Sequence, residues 1–144
     1  MNIFLLADDD EDDTELFGEA LSAIEPPVNF YHVETGQAVF QFLSNGQNKK
    51  PNIIFLDINM PEMSGWQCLS KLKNHIEYKD IPVIMYSTSS NQREKEIAFE
   101  LGAWGFFTKP SDLKMLLKVL DSIANINRSD LENVLKEISL INFR

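Results

Sequence analysis

Short, dense apolar runs alternate along the chain with longer stretches whose apolar positions recur every three or four residues. The runs cover 3–7, 28–33, 52–56, 82–86 and 104–107. Contiguous apolar runs of this length predict strands buried on both faces, as in a parallel sheet. Between them, Leu16, Ala20, Leu21 and Ile24 form a helical stripe, as do Val39, Phe40 and Leu43. Cys68, Leu69 and Leu72 form a third, Ile97, Ala98 and Leu101 a fourth, and Leu113, Leu116, Leu117 and Leu120 a fifth. Turn and cap residues agree. Pro26 and Pro27 stop the first helix, Thr35-Gly36 opens the second, and Asn45-Gly46 closes it. Gly102 stands where a left-handed cap belongs after the fourth, and Ser111 is the predicted N-cap of the fifth.

Five strand–helix units with right-handed crossovers predict an α/β fold: a doubly wound parallel sheet with helices on both faces. A closed barrel would need far more chain. After Ala124 the pattern changes. Residues 129–141 read as one extra amphipathic helix, with Ser129 as N-cap and Glu132 completing a capping box. Leu131, Val134, Leu135, Ile138 and Ile141 fall on its apolar stripe. The expected organisation is therefore one domain over 1–124 and a C-terminal helical extension over 125–144. A helix this short needs its stripe buried, either on the chain's own domain or in a homodimer.

Composition narrows the classes of function. The 144 residues are 44% hydrophobic and 24% charged, as in an ordinary globular domain. Thirteen Lys and Arg against 22 Asp and Glu give a formal charge of -9, which repels nucleic acid and anionic membranes alike. The single Cys68 has no partner for an internal disulfide and fits a reducing compartment. The start of the chain has no basic segment of the signal-peptide kind, and no apolar stretch approaches a membrane span. A cytoplasmic location is expected.

In open α/β sheets, ligands sit beyond the carboxyl ends of the strands. The first run leads into six acids, Asp8 to Asp13; the third ends in Asp57-Ile58-Asn59; the fourth ends in Ser87, Thr88 and Ser89; the fifth ends in Thr108-Lys109-Pro110. Crowded carboxylates need a cation, and an all-oxygen donor set suits a hard ion such as Mg²⁺. Lys109 beside them can keep a carboxylate ionised and then hold an added phosphoryl oxygen. An ionised Asp flanked by such charges is a nucleophile toward phosphorus. Asp10 to Asp13 read as a solvated helix start. His32 and His75 lack ligand spacing, and Trp66, Trp104 and Cys68 read as structural.

These residues resemble the receiver domain of two-component response regulators, of the chemotaxis-regulator kind. The matching stretches are 5–10 (LLADDD), 55–65 (FLDINMPEMSG), 82–88 (PVIMYST), 101–103 (LGA) and 106–110 (FFTKP), in the family's order and each beside a predicted strand. The resemblance implies a five-stranded sheet of order 2-1-3-4-5 and a phosphoacceptor at Asp57. It implies Mg²⁺ bound by Asp9, Asp57 and the Asn59 carbonyl, with Asp8 acting through water. It further implies that Lys109 and Ser87 contact the phosphoryl group, that Ser87 and Phe106 form the switch, and that Asn59 and Ser89 tune hydrolysis. The Lys109–Pro110 bond is commonly cis in this family. Phe106 stands where the best-known members carry Tyr, so any switching must run through packing.

The resemblance implies a stand-alone response regulator, a signalling protein rather than an enzyme. It would be phosphorylated by a sensor histidine kinase or a phosphotransfer protein and act by a population shift. Its length leaves no room for a DNA-binding module, so output is expected through a downstream protein partner or onward phosphotransfer, across the fourth helix, fifth strand and fifth helix. Two other readings compete: a receiver-like interaction module that works without phosphorylation, and a phosphohydrolase with an Asp nucleophile. The second needs an acid two residues after the nucleophile, where this chain has Asn59. A flavodoxin-like cofactor site is opposed by the acids after the first strand, which repel phosphate.

Overall fold

The computed structural model describes residues 2–89 and 91–140. Five strands and six helices alternate among these residues: β1 (Ile3–Ala7), α1 (Glu11–Ser22), β2 (Asn29–Val33), α2 (Gly36–Ser44), β3 (Ile53–Asp57) and α3 (Gly65–Lys73). They continue with β4 (Val83–Ser87), α4 (Gln92–Glu100), β5 (Gly105–Thr108), α5 (Leu113–Ala124) and α6 (Arg128–Ser139). All strand pairs are parallel, in the order β2-β1-β3-β4-β5. The doubly wound fold read from the sequence is the fold found. No helix among the described residues is long and apolar enough to cross a membrane.

β1, β3, β4 and β5 are buried along their whole lengths because helices cover both faces of the sheet. One core layer, built on Phe4, Phe17, Phe55, Leu120 and Leu135, joins the sheet to α1, α5 and α6. The other, built on Leu5, Val39, Leu56, Leu69, Ala98 and Phe106, joins it to α2, α3 and α4. Cys68 is fully buried in that second layer, and burial pushes its thiol up to about 12. β2 departs from the expectation of burial on both faces. It is an edge strand, only partly covered, with Tyr31 44% exposed.

The starts of α1 to α5 follow side-chain capping, and two caps differ from the sequence reading. Thr35 caps α2 as predicted. α5 is capped by Asp112, whose carboxylate accepts from the Met115 N–H, so Ser111 falls one residue too early. α4 is capped by Asn91, whose own N–H donates to the Ser89 hydroxyl. α6 begins at Arg128 after Asn127, which places Ser129 inside the first turn and prevents the capping box with Glu132. Ile141 and Ser90 lie outside the described residues.

α6 docks on the chain's own domain, burying Leu131, Leu135 and Ser139. β5 is the second edge of the sheet, and α6 lies against it. The Ser139 Oγ accepts a 2.9 Å hydrogen bond from the Phe106 N–H and donates to the Leu135 carbonyl. A Cβ on Gly105 would stand 3.3 Å from that Oγ, so glycine permits the close approach. The face expected to carry output beside the fifth strand is thus partly covered by α6. Ser139→Ala is expected to lower unfolding free energy by about 1–2 kcal/mol, because a buried Phe106 N–H loses its partner. Urea unfolding measures this, and wild-type stability in the variant would mean that α6 does not hold the edge.

Candidate functional site

Parallel pairing carries four polar residues to one end of the sheet. Asp8 follows β1, its N–H donating to the Val33 carbonyl at 3.0 Å. Asp57 is the last residue of β3, in register with Tyr86. Ser87 ends β4 opposite Thr108, and the Lys109 N–H extends that ladder to the Ser87 carbonyl at 2.6 Å. The chain then turns sharply after Asp57: the Gly65 N–H donates to the Ile58 carbonyl at 2.8 Å, and a Cβ on Gly65 would overlap the Asp57 carbonyl oxygen. That turn requires glycine and starts α3 directly beside the site. Glu62, in the same loop, has φ 68, a conformation that favours glycine.

Lys109 is the hub. Its Nζ donates to Asp8 at 2.9 Å and to Asp13 at 2.7 Å, and lies 3.7 Å from Asp57. Its ammonium also sits 5.4 Å from the centroid of the Tyr86 ring, a cation–π arrangement. Burial alone would lower its pKa, but the hydrogen bonds to Asp13 and Asp8 outweigh burial and hold it above the ordinary lysine value. The second oxygen of Asp8 accepts from the Asp10 N–H at 2.9 Å, and the Asp8 carbonyl lies 2.7 Å from His32 Nε2. His32 therefore serves as a prop for the β1–α1 turn.

Asp57 behaves differently. Burial raises its carboxyl to about 6, with Asp8 and Asp9 adding to the rise, while Lys109 and the Asn59 N–H pull in the other direction. Asp8, Asp9 and Asp57 each offer an oxygen within 4.8 Å of the others. Three oxygen donors so close, one of them driven toward its neutral form, fit a hard divalent cation.

Most of the residues singled out from sequence converge. Asp8, Asp9, Asp57 and Lys109 form one cluster, and Asn59 lies beside it through its backbone N–H. Ser87 is buried at the same edge, its Oγ accepting from the Ser89 N–H at 3.0 Å. The Ser89 carbonyl in turn accepts from Thr108 at 3.2 Å, so the β4–α4 turn is tied to β5. Phe106 is 1% exposed and packs into the core on the α2–α4 side of the sheet. The peptide bond after Lys109, expected to be cis, is not; the cis peptide is Glu25–Pro26, in the turn after α1. Asp13, which the sequence places in a solvated helix start, is a partner of Lys109. It stands in the first turn of α1, one helical turn beyond Asp9, and that spacing was its only signal.

A doubly wound parallel sheet with clustered acids and a buried lysine at its carboxyl edge defines a class whose site can hold a hard cation beside a fixed positive charge. The chain matches the response regulator receiver domain over residues 4–121, and it belongs to that family. It is 30% identical to response regulator Rcp1 of Synechocystis sp. over 84% of this chain and 85% of that protein. A crystal structure of the Mn(2+)-bound form of Rcp1 superposes with a TM-score of 0.77 at 28% identity, covering 88% of this chain and 94% of the other. The phosphorylated cyanobacterial phytochrome response regulator RcpA gives 0.77 at 27% identity, covering 85% and 90%. Two other curated relatives are much longer, and the chain spans 15% and 24% of them. α6 lies beyond the family match.

The raised carboxyl of Asp57 links the site to stability. Its folded pKa exceeds the ordinary 3.8, so the stability of the protonated form is fully present below that value and lost as pH rises through about 6. Asp57→Asn, which resembles the neutral acid, is therefore expected to stabilise the metal-free protein at neutral pH by roughly 1–3 kcal/mol. The gain should vanish toward pH 4. Thermal melts across that range, with chelator present, check the sign; a variant less stable at neutral pH would refute it.

Proposed function

We propose that the chain is a phosphoacceptor that takes a phosphoryl group on Asp57 from a phosphohistidine of a sensor histidine kinase or phosphotransfer protein, with Mg²⁺ as cofactor. The observation that carries this reading is the placement of Asp57 at a strand end, 3.7 Å from a lysine that is itself fixed by Asp8 and Asp13. An oxygen of the ionised carboxylate bonds to phosphorus as the P–N bond to the imidazole breaks, and the imidazole nitrogen keeps the electron pair. Direct ligation of the ion is assigned to the Asn59 carbonyl, to Asp57 and to Asp9, which is exposed and clusters with Asp57. Asp8 is placed to act through water, since one of its oxygens is held by Lys109 and the other by the Asp10 N–H. The ion, when bound, keeps Asp57 ionised and neutralises charge on the transferring group.

After transfer, Lys109 and Ser87 are placed to hold phosphoryl oxygens. A bond from the Ser87 hydroxyl to such an oxygen competes with its hold on the Ser89 N–H, which loosens the β4–α4 turn. Phe106 beneath that turn responds by packing, since it has no hydroxyl to hydrogen-bond. Its N–H is bound to Ser139, so movement there reaches α6. Output then follows from a population shift read by a protein partner, a second copy of the chain included. Asn59 and Ser89 flank the site and are proposed to tune hydrolysis of the acyl phosphate.

Intact mass after incubation with acetyl phosphate and Mg²⁺ is expected to rise by one phosphoryl group in the wild type and not in Asp57→Asn. Uptake at wild-type rate by the variant would move the acceptor elsewhere. Lys109→Ala is expected to retain some uptake but to lose the response of α4 amides to beryllofluoride, because the bridging cation is gone. An α4 response like wild type would remove Lys109 from the switch.

A further inference from the structure

Asp13 has no assigned role in this reading, yet it makes the shortest of the three contacts of Lys109. We propose that Asp13 is a positioning residue that holds the Lys109 ammonium in reserve, and that loading of Asp57 transfers this ammonium from Asp13 to a phosphoryl oxygen. The inference rests on the phosphoacceptor role of Asp57. An ammonium has three N–H donors. Two are engaged by Asp8 at 2.9 Å and Asp13 at 2.7 Å, and Asp57 at 3.7 Å lies beyond hydrogen-bond distance.

A phosphoryl group on Asp57 offers acceptor oxygens to the third N–H, and its added negative charge draws the ammonium toward Asp57 and away from whichever partner holds it less firmly. Burial decides which. The Asp8 side chain is 0% exposed, and losing Lys109 would strand a buried carboxylate, which is costly. The Asp13 side chain is 32% exposed and can be rehydrated when the lysine leaves. Its backbone stays in place throughout, because the Asp13 N–H is held by the Asp10 cap at 3.0 Å. Asp13 therefore competes with the phosphoryl group for Lys109 and sets the threshold for the loaded state.

Beryllofluoride with Mg²⁺, a non-covalent mimic of a phosphoryl group on a carboxylate, provides the probe. Removing the competitor in Asp13→Asn is expected to tighten beryllofluoride binding roughly fivefold, the worth of a half-exposed ion pair. Asp13→Ser removes the same carboxylate with a smaller side chain and gives a second arm should the first variant fold poorly. Asp12→Asn removes an equal charge from an exposed neighbour in the same helical turn and is expected to change binding much less. The Lys109 side-chain NMR signals should differ between wild type and Asp13→Asn in the free protein and coincide in the beryllofluoride complexes. A merely structural ion pair would alter melting without tightening binding, and an equal effect at Asp12 would reduce the result to long-range charge; either outcome overturns the proposal. If wild type binds no beryllofluoride while Mg²⁺ is present, the phosphoacceptor reading itself fails.

Discussion

Four carboxylates and one ammonium share the carboxyl edge of the sheet, and the rest of the structure is arranged around that imbalance. A single lysine cannot neutralise Asp8, Asp9, Asp13 and Asp57 together. The unequal distances settle how its charge is divided: Asp8 and Asp13 receive hydrogen bonds, while Asp57 receives only the field of a charge one contact away. Hence burial wins at Asp57, whose carboxyl rises to about 6, and loses at Lys109, whose ammonium is held charged. The lysine is committed and the aspartate is not. At neutral pH the Asp57 carboxyl still gives up its proton, at a cost that a divalent cation beside it would relieve.

Holding such a cluster together requires rigid backbone on every side. The sheet supplies it, since Asp57 terminates a central strand and Asp8 follows another, both paired on two sides. The turns complete it through main-chain bonds: the Asp10 N–H on Asp8, the Gly65 N–H on Ile58, and the Ser89 N–H and carbonyl on Ser87 and Thr108. Of these, the ties at Ser89 run through side-chain hydroxyls and are the easiest to exchange. The site thus combines fixed charges with one replaceable stitch, which is what a bistable element needs.

Much of this was legible in the chain because parallel strands leave contiguous apolar runs, and the residue that ends each run is the residue at the edge. That logic located Asp8, Asp57, Ser87 and Lys109 without coordinates. It failed where position depends on tertiary direction. Asp13 sits in a run of acids that reads as solvent-facing, and the packing of α1 against α5 brings it to Lys109. β2 has the apolar content of a central strand but lies at the edge, since strand order is not written in hydropathy. The caps at Asp112 and Asn127 displaced Ser111 and Ser129 because the capping residue is chosen by where the backbone leaves extended geometry, not by hydroxyl content alone.

The two edges of the sheet are closed by different means, and the difference bears on how a signal could leave. β2 stays partly exposed, with mixed polar and aromatic residues. β5 is covered by α6, and the donor that would otherwise point outward from Phe106 is spent on Ser139. An edge strand with an unpaired N–H is a template for another chain, so covering it suppresses unspecific pairing. The same cover places α6 in series with Phe106, the residue proposed to respond to the phosphoryl group. A partner that reads this face must read α6 as well as β5. α6 is held by the buried Ser139 hydroxyl, by Leu131, Leu135 and Ile138 in the core layer, and by Arg128 over the Trp104 ring and against the Asp80 carbonyl. A change at the Phe106 backbone therefore reaches α6 first through the Ser139 hydroxyl, while the other contacts keep the helix on the edge.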